Sequence, residues 1–106
     1  MRFSHNECMQ LAFAEAIKAK DLHEVPVGAI VTKENKIIGR GYNSVIRDNS
    51  IACHAELNAI NDASKTLNNY RLLNCNLYVT LEPCHMCAKA IAVSYTHLRA
   101  HETLMN

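Results

Sequence analysis

His54 and Glu56 stand two residues apart in CHAELNAI, and Cys84 and Cys87 stand three apart in EPCHMCAKAI. These residue types ligate metals and move protons. Alone, each has an ordinary reading. A histidine at a helix start is commonly a surface residue or a satisfied core residue. A C-x-x-C pair opening a helix after a strand is either a redox couple, because a helix N-terminus lowers a thiol pKa, or half of a zinc site. That pair by itself leaves both readings open. The combination says more. Cysteines three apart share one helical face and can grip a single ion. One imidazole added to them makes three protein ligands. Structural zinc is closed by four, whereas catalytic zinc keeps its fourth position open for water. Glu56 would face that open position, where a carboxylate can shuttle a proton.

Such a set works only if two helix starts lie side by side, so the intervening elements matter. Ser4-His5-Asn6-Glu7 fits a capping box, and the alanine-rich run behind it predicts a helix from about residue 6 to 20 with Cys8, Leu11, Ala12, Ala16 and Ala19 on one face. Pro26 has no N–H to donate, so a strand is expected just after it. VGAIVT and KIIGRGYN flank Lys33-Glu34-Asn35, a hairpin connection. SVIRDNSIA reads as a loop. A second helix is expected from about residue 53 to 67, burying Ala55, Leu57, Ala59, Ile60 and Ala63. NLYVTL has the near-continuous apolarity of a strand buried on both faces. Pro83 stops it, and CHMCAKAIA starts a third helix. The order helix, two strands, helix, strand, helix predicts an α/β architecture, a sheet covered by helices.

The chain has 106 residues, enough for one small domain. Its formal charge of +1 does not announce a nucleic-acid partner. No apolar stretch is long enough to span a bilayer, and MRFSHNECMQ lacks a signal-peptide apolar segment, so no membrane partner and a cytoplasmic location are expected. The five cysteines are odd in number, which points to free thiols and a metal site rather than a disulfide framework.

His54-Ala55-Glu56 followed by Pro83-Cys84-His85-Met86-Cys87 resembles the H-x-E…P-C-x-x-C signature of zinc-dependent nucleoside and nucleobase deaminases. The flanks EVPVGAIV, IIGRGYN, HAELNAI and NYRLLNCNLYVTLEPCHMCAKAI look like the bacterial tRNA-specific adenosine deaminases, in order, from about Asn6 to Ile91. That resemblance implies a three-layer α/β/α cytidine-deaminase-like sheet. It implies one Zn2+ held by His54, Cys84 and Cys87, Glu56 as proton shuttle, and Asn43 holding the target nucleoside. The implied substrate is the wobble adenosine of a tRNA anticodon loop, converted to inosine. A homodimer is implied for the complete enzyme. Two alternatives stay open: a free-base cytosine or guanine deaminase with the same zinc core, and a non-catalytic zinc module, which would have no need of Glu56. Cys53 adjoins a ligand and is read as a packed thiol, His85 between the cysteines as a flank, and Cys8 and Cys75 as core. Lys89 stands where the family commonly has glycine.

Beyond Ile91 the resemblance stops. The family continues with an arginine-containing turn, further strands and C-terminal helices, whereas this chain reads VSYTHLRAHETLMN. Val93 to Thr103 is similar to a translated transposon-type sequencing adapter. The expectation is a deaminase domain over residues 1–92 that lacks its last strands and helices, followed by a non-native tail over residues 93–106. The NLYVTL strand should then have a free edge. The tail should be mobile, or helical by the local propensity of HLRAHETL. His97 and His101 are accordingly set aside as ligands.

Overall fold

The computed structural model describes residues 3–81, 83–94 and, as backbone, 97–100. Its elements are α1 (His5–Asp21), β1 (Gly28–Lys33), β2 (Lys36–Tyr42), a short α2 (Val45–Asp48), α3 (Ala55–Leu67), β3 (Cys75–Val79), α4 (His85–Ser94) and β4 (His97–Ala100). The capping box forms as expected: Ser4 Oγ accepts from the Glu7 N–H at 3.1 Å, and the Glu7 carboxylate accepts from the Ser4 N–H at 2.9 Å. The N–H groups of the N-cap Ser4 and of Glu7 are thereby satisfied at the start of α1.

The sheet order is β2-β1-β3-β4, with β1 antiparallel to β2 and β3 and with β3 parallel to β4. Lys33 pairs with Lys36, so the hairpin turns on two residues, Glu34 and Asn35. Their φ values are 50° and 64°. Positive φ at both positions is the turn whose twist matches that of the flanking strands, and asparagine tolerates it readily.

Alternation along β1 separates two cores. Ile30 points with Tyr78 toward Cys8, Met9 and Ala12 of α1. Ala29 and Val31 point with Leu77 and Val79 toward Ala55, Ala59, Ile60 and Ala63 of α3 and Ile91 of α4. The result is the α/β/α sandwich, with β1 and β3 buried on both sides. The α3 backbone lies almost on β2. A Cβ added to Gly41 would come within 2.4 Å of the Ala55 oxygen and the Ala59 nitrogen. Those neighbours are main chain and cannot rotate away. Gly41→Ala is therefore expected to destabilise by at least the ~1–3 kcal/mol typical of overpacking, a fall in Tm of more than about 4 °C. Thermal unfolding followed by circular dichroism checks this.

Three features differ from the sequence reading. Residues 45–48, read as loop, form α2, because the Glu24 carboxylate reaches over to accept the Ile46 and Arg47 N–H groups at 3.0 and 2.7 Å. Helix α3 begins at Ala55 with His54 as its N-cap, rather than at residue 53. Most plainly, β3 has no free edge: Asn76 to Val79 pair with residues 97 to 100. The tail is expected to be mobile or helical; of its described part, Val93 and Ser94 complete α4, whereas residues 97–100 form a strand. An unpaired strand edge is a template for any extended segment that reaches it, and the ten-residue α4 returns the chain to β3 as a strand–helix–strand crossover. His101 lies outside the described residues. Among the described residues, no helix is long and apolar enough to cross a membrane.

Candidate metal centre and active site

His54 sits at φ −75° and ψ 155°, the extended conformation of an N-cap, and its ring makes no capping bond. It is therefore free to turn toward the neighbouring helix start. That second start follows β3 directly. The Thr80 hydroxyl accepts the Gly28 N–H at 3.1 Å, and the Thr80 N–H donates to the Gly28 carbonyl at 3.1 Å, which anchors the strand end. The Cys84 carbonyl accepts the Ala88 N–H at 2.8 Å, opening α4, and Cys87 follows in the first turn.

These two starts bring the expected residues together. His54 Nδ1 lies 3.5 Å from Cys84 Sγ and 3.5 Å from Cys87 Sγ. The three potential ligand atoms lie within 4.8 Å of one another, and they form the one such group of three among the described residues. Their burial is graded: Cys87 is fully buried, His54 half-buried and Cys84 exposed. Glu56, only 4% exposed, and Asn43 line the same cavity of about 220 Å³, with Val25, Val27, Leu81, His54 and Cys84.

The electrostatics fit a cation. Burial pushes the Cys87 thiol far above its usual pKa, and the Glu56 carboxylate and Cys84 push it further. Without a positive charge the cluster would hold that thiol protonated. A bound divalent ion inverts this balance and deprotonates a coordinating thiol. Two sulfurs and an imidazole are a donor set suited to zinc. The redox reading of the C-x-x-C pair does not account for His54 Nδ1 lying 3.5 Å from both sulfurs, which the metal reading does.

Asn43 is held more tightly than its sequence position foretold. Its Oδ1 accepts the Ala55 N–H at 3.2 Å, and its own N–H donates to the Val27 carbonyl at 3.1 Å. With Oδ1 already engaged by Ala55, the side-chain nitrogen leaves Asn43 a donor to offer to the cavity it lines. Cys53 is half-buried and stays outside the ligand group, and His85 is exposed and also outside it. Cys8 and Cys75 are buried in the core. Lys89 is exposed. The sequence reading did not name the apolar cavity walls Val25 and Leu81, and being 60% and 53% exposed they carry no core signal. A larger, shallower groove of about 520 Å³ lies along Asn61, Ser64, Lys65, Asn68, Asn69 and Tyr70. Among the described residues the metal-ligand group borders the smaller cavity, which is therefore the candidate site.

The sequence model of the cytidine and deoxycytidylate deaminase zinc-binding region matches residues 3–98. The chain belongs to that deaminase family. Its relatives share both sequence and fold. The chain is 49% identical over 83 residues to the tRNA-specific adenosine deaminase of Buchnera aphidicola subsp. Schizaphis graminum, covering 78% of this chain and 55% of that protein. A solved structure from studies of A-to-I editing by tRNA:A34 deaminases matches with a TM-score of 0.84 and 38% identity, covering 90% of this chain and 75% of that one. The guanine deaminase of Bacillus subtilis matches with a TM-score of 0.86 and 31% identity, covering 98% and 71%. The deaminase chain spans about half the length of the curated bacterial relatives it matches. Its three-layer sheet is the cytidine-deaminase-like fold, and zinc is the cofactor of the family's binding region.

Proposed function

We propose that this deaminase chain carries the zinc centre of a tRNA adenosine deaminase, which hydrolyses the wobble adenosine of an anticodon loop to inosine and ammonia. The observation that carries the chemistry is the buried Glu56 in one cavity with two of the three clustered ligand side chains, His54 and Cys84. The 49% identity to a tRNA-specific adenosine deaminase supports the substrate.

In this reading His54, Cys84 and Cys87 hold the metal. Bound zinc supplies a Lewis acid that lowers the pKa of water from about 15.7 to about 7. Glu56 takes a proton from the attacking water, delivers it to the adenine ring and then assists the amino group to leave as ammonia. One carboxylate thus acts as base and then as acid. The Asn43 side-chain nitrogen donates to an acceptor on the nucleoside. Val25, Val27 and Leu81 offer apolar surface to the base. An unpaired loop base can be turned into such a cavity at little unstacking cost. The reading places the protein in the cytoplasm with tRNA, as a homodimer when complete. It keeps residues 1–92 as the deaminase domain and residues 93–106 as a tail foreign to it, which source DNA sequenced past Ile91 tests.

A second reading, a guanine deaminase, has support from the Bacillus subtilis structure. Mass analysis of tRNA for inosine, set beside ammonia release from free guanine and cytosine, separates the two. Inosine at the wobble position with no ammonia from the free bases is the expected result. The reverse pattern would replace the proposal.

A further inference from the structure

Asn58 lies four residues after His54 on α3, outside the metal group and outside the lining of the site cavity. Its side-chain nitrogen donates to the Tyr42 carbonyl at 2.8 Å and to Ser44 Oγ at 3.0 Å, and it lies 3.5 Å from the Cys53 carbonyl. Tyr42 and Ser44 are the two neighbours of Asn43. Ser44 Oγ can accept because its own proton goes to the Asp48 carboxylate at 2.7 Å. The Ser44 N–H in turn donates to the Cys53 carbonyl at 2.9 Å. The 42–44 segment is thus laced to α3 from both sides, by Asn58 and by the Ala55 N–H held on Asn43 Oδ1. Gly41 makes this possible: a Cβ there would lie 2.9 Å from the Asn58 Cβ, so only a glycine lets the helix come this close.

The lacing has a chemical consequence. The two ends of an asparagine amide are nearly the same size but opposite in hydrogen-bonding sense. What fixes Asn43 with its oxygen inward is the Ala55 N–H, and that bond exists only while the segment stays at its present distance from the start of α3. We infer that Asn58 is a positioning residue that sets the orientation of Asn43, and with it the presentation of a donor rather than an acceptor to the nucleoside. This rests on the reading of the cavity as a nucleoside site, but the orientation itself is measurable without any substrate.

The test uses the zinc-loaded chain with Asn58→Leu, which removes the amide, and Asn58→Asp, which keeps its shape but removes the donor. Hydrogen exchange of the Ala55 amide is read by NMR, with Asn43→Ala as the positive control. Both Asn58 variants should exchange Ala55 at least tenfold faster, while β1 ladder amides and zinc content stay as in the wild type. Wild-type protection of Ala55 in either variant overturns the inference. Should Asn58→Leu fail to fold, Asn58→Asp decides. In the catalytic arm, kcat/KM on an anticodon stem-loop is measured for Asn58→Leu, Asn43→Ala and the double variant. Asn58→Leu should add nothing once Asn43 is alanine, since it acts through that residue. Additive losses overturn the inference. A wild-type chain inert toward RNA would count against the proposed function, while the exchange arm would still decide on Asn58.

Discussion

Glu56→Ala is expected to leave zinc bound and the fold intact while lowering deamination at least about a hundredfold, the low end for a lost general acid–base group. A carboxylate that is 4% exposed is costly to retain unless it has a task or a compensating charge. Glu56 lies in the first turn of α3, where the helix N-terminus favours a negative charge, and it lines the cavity beside His54 and Cys84. It is not among the three grouped ligands, so removing it should not strip the metal. Glu56→Gln, equal in shape but unable to take a proton, should lose nearly as much. Inosine formation by mass spectrometry, with metal analysis of the same samples, checks both variants. Near-normal turnover by a folded, zinc-loaded alanine variant would end the shuttle role.

Cys87→Ala should act on the metal itself. Cys87 is fully buried, so of the two grouped sulfurs it is the one least able to be replaced by solvent as a ligand. Its loss should reduce bound zinc from one ion per chain to a small fraction. Because a ligand that binds only the folded state stabilises it by mass action, about 4 kcal/mol at a thousandfold excess over Kd, chelation should lower the Tm of the wild type by many degrees. It should barely affect Cys87→Ala, whose Tm should already be low. Cys53→Ala is the control. Its thiol lies outside the ligand group, so zinc should stay bound. Equal zinc in the wild type and Cys87→Ala would refute the ligand assignment.

Much of the fold was legible because local chemistry dictated it. Ser4 and Glu7 announce α1 through a contact three residues long. Glu34 and Asn35 sit where the hairpin must turn, and the NLYVTL run reads as a buried strand, which forms as β3 over Cys75–Val79. The chemically distinctive side chains were legible for another reason: few combinations of histidine, glutamate and paired cysteines have this spacing. What escaped depends on distant partners. Helix α2 forms where Glu24, more than twenty residues earlier, caps it. Strand β4 carries no strand pattern of its own and follows from the edge that β3 presents. The anchoring of Asn43 Oδ1 depends on the N–H of Ala55, twelve residues on, and on the close approach that Gly41 permits. No reading of residue types along the chain contains those distances.

The most direct test of the account is X-ray absorption at the zinc edge of the metal-loaded chain. Two sulfur ligands and one imidazole per zinc ion are expected, with neither sulfur lost in Cys53→Ala and almost no zinc signal from Cys87→Ala. Three or more sulfurs would contradict it, as would a second imidazole, because either would close the position that the proposed chemistry requires to be open.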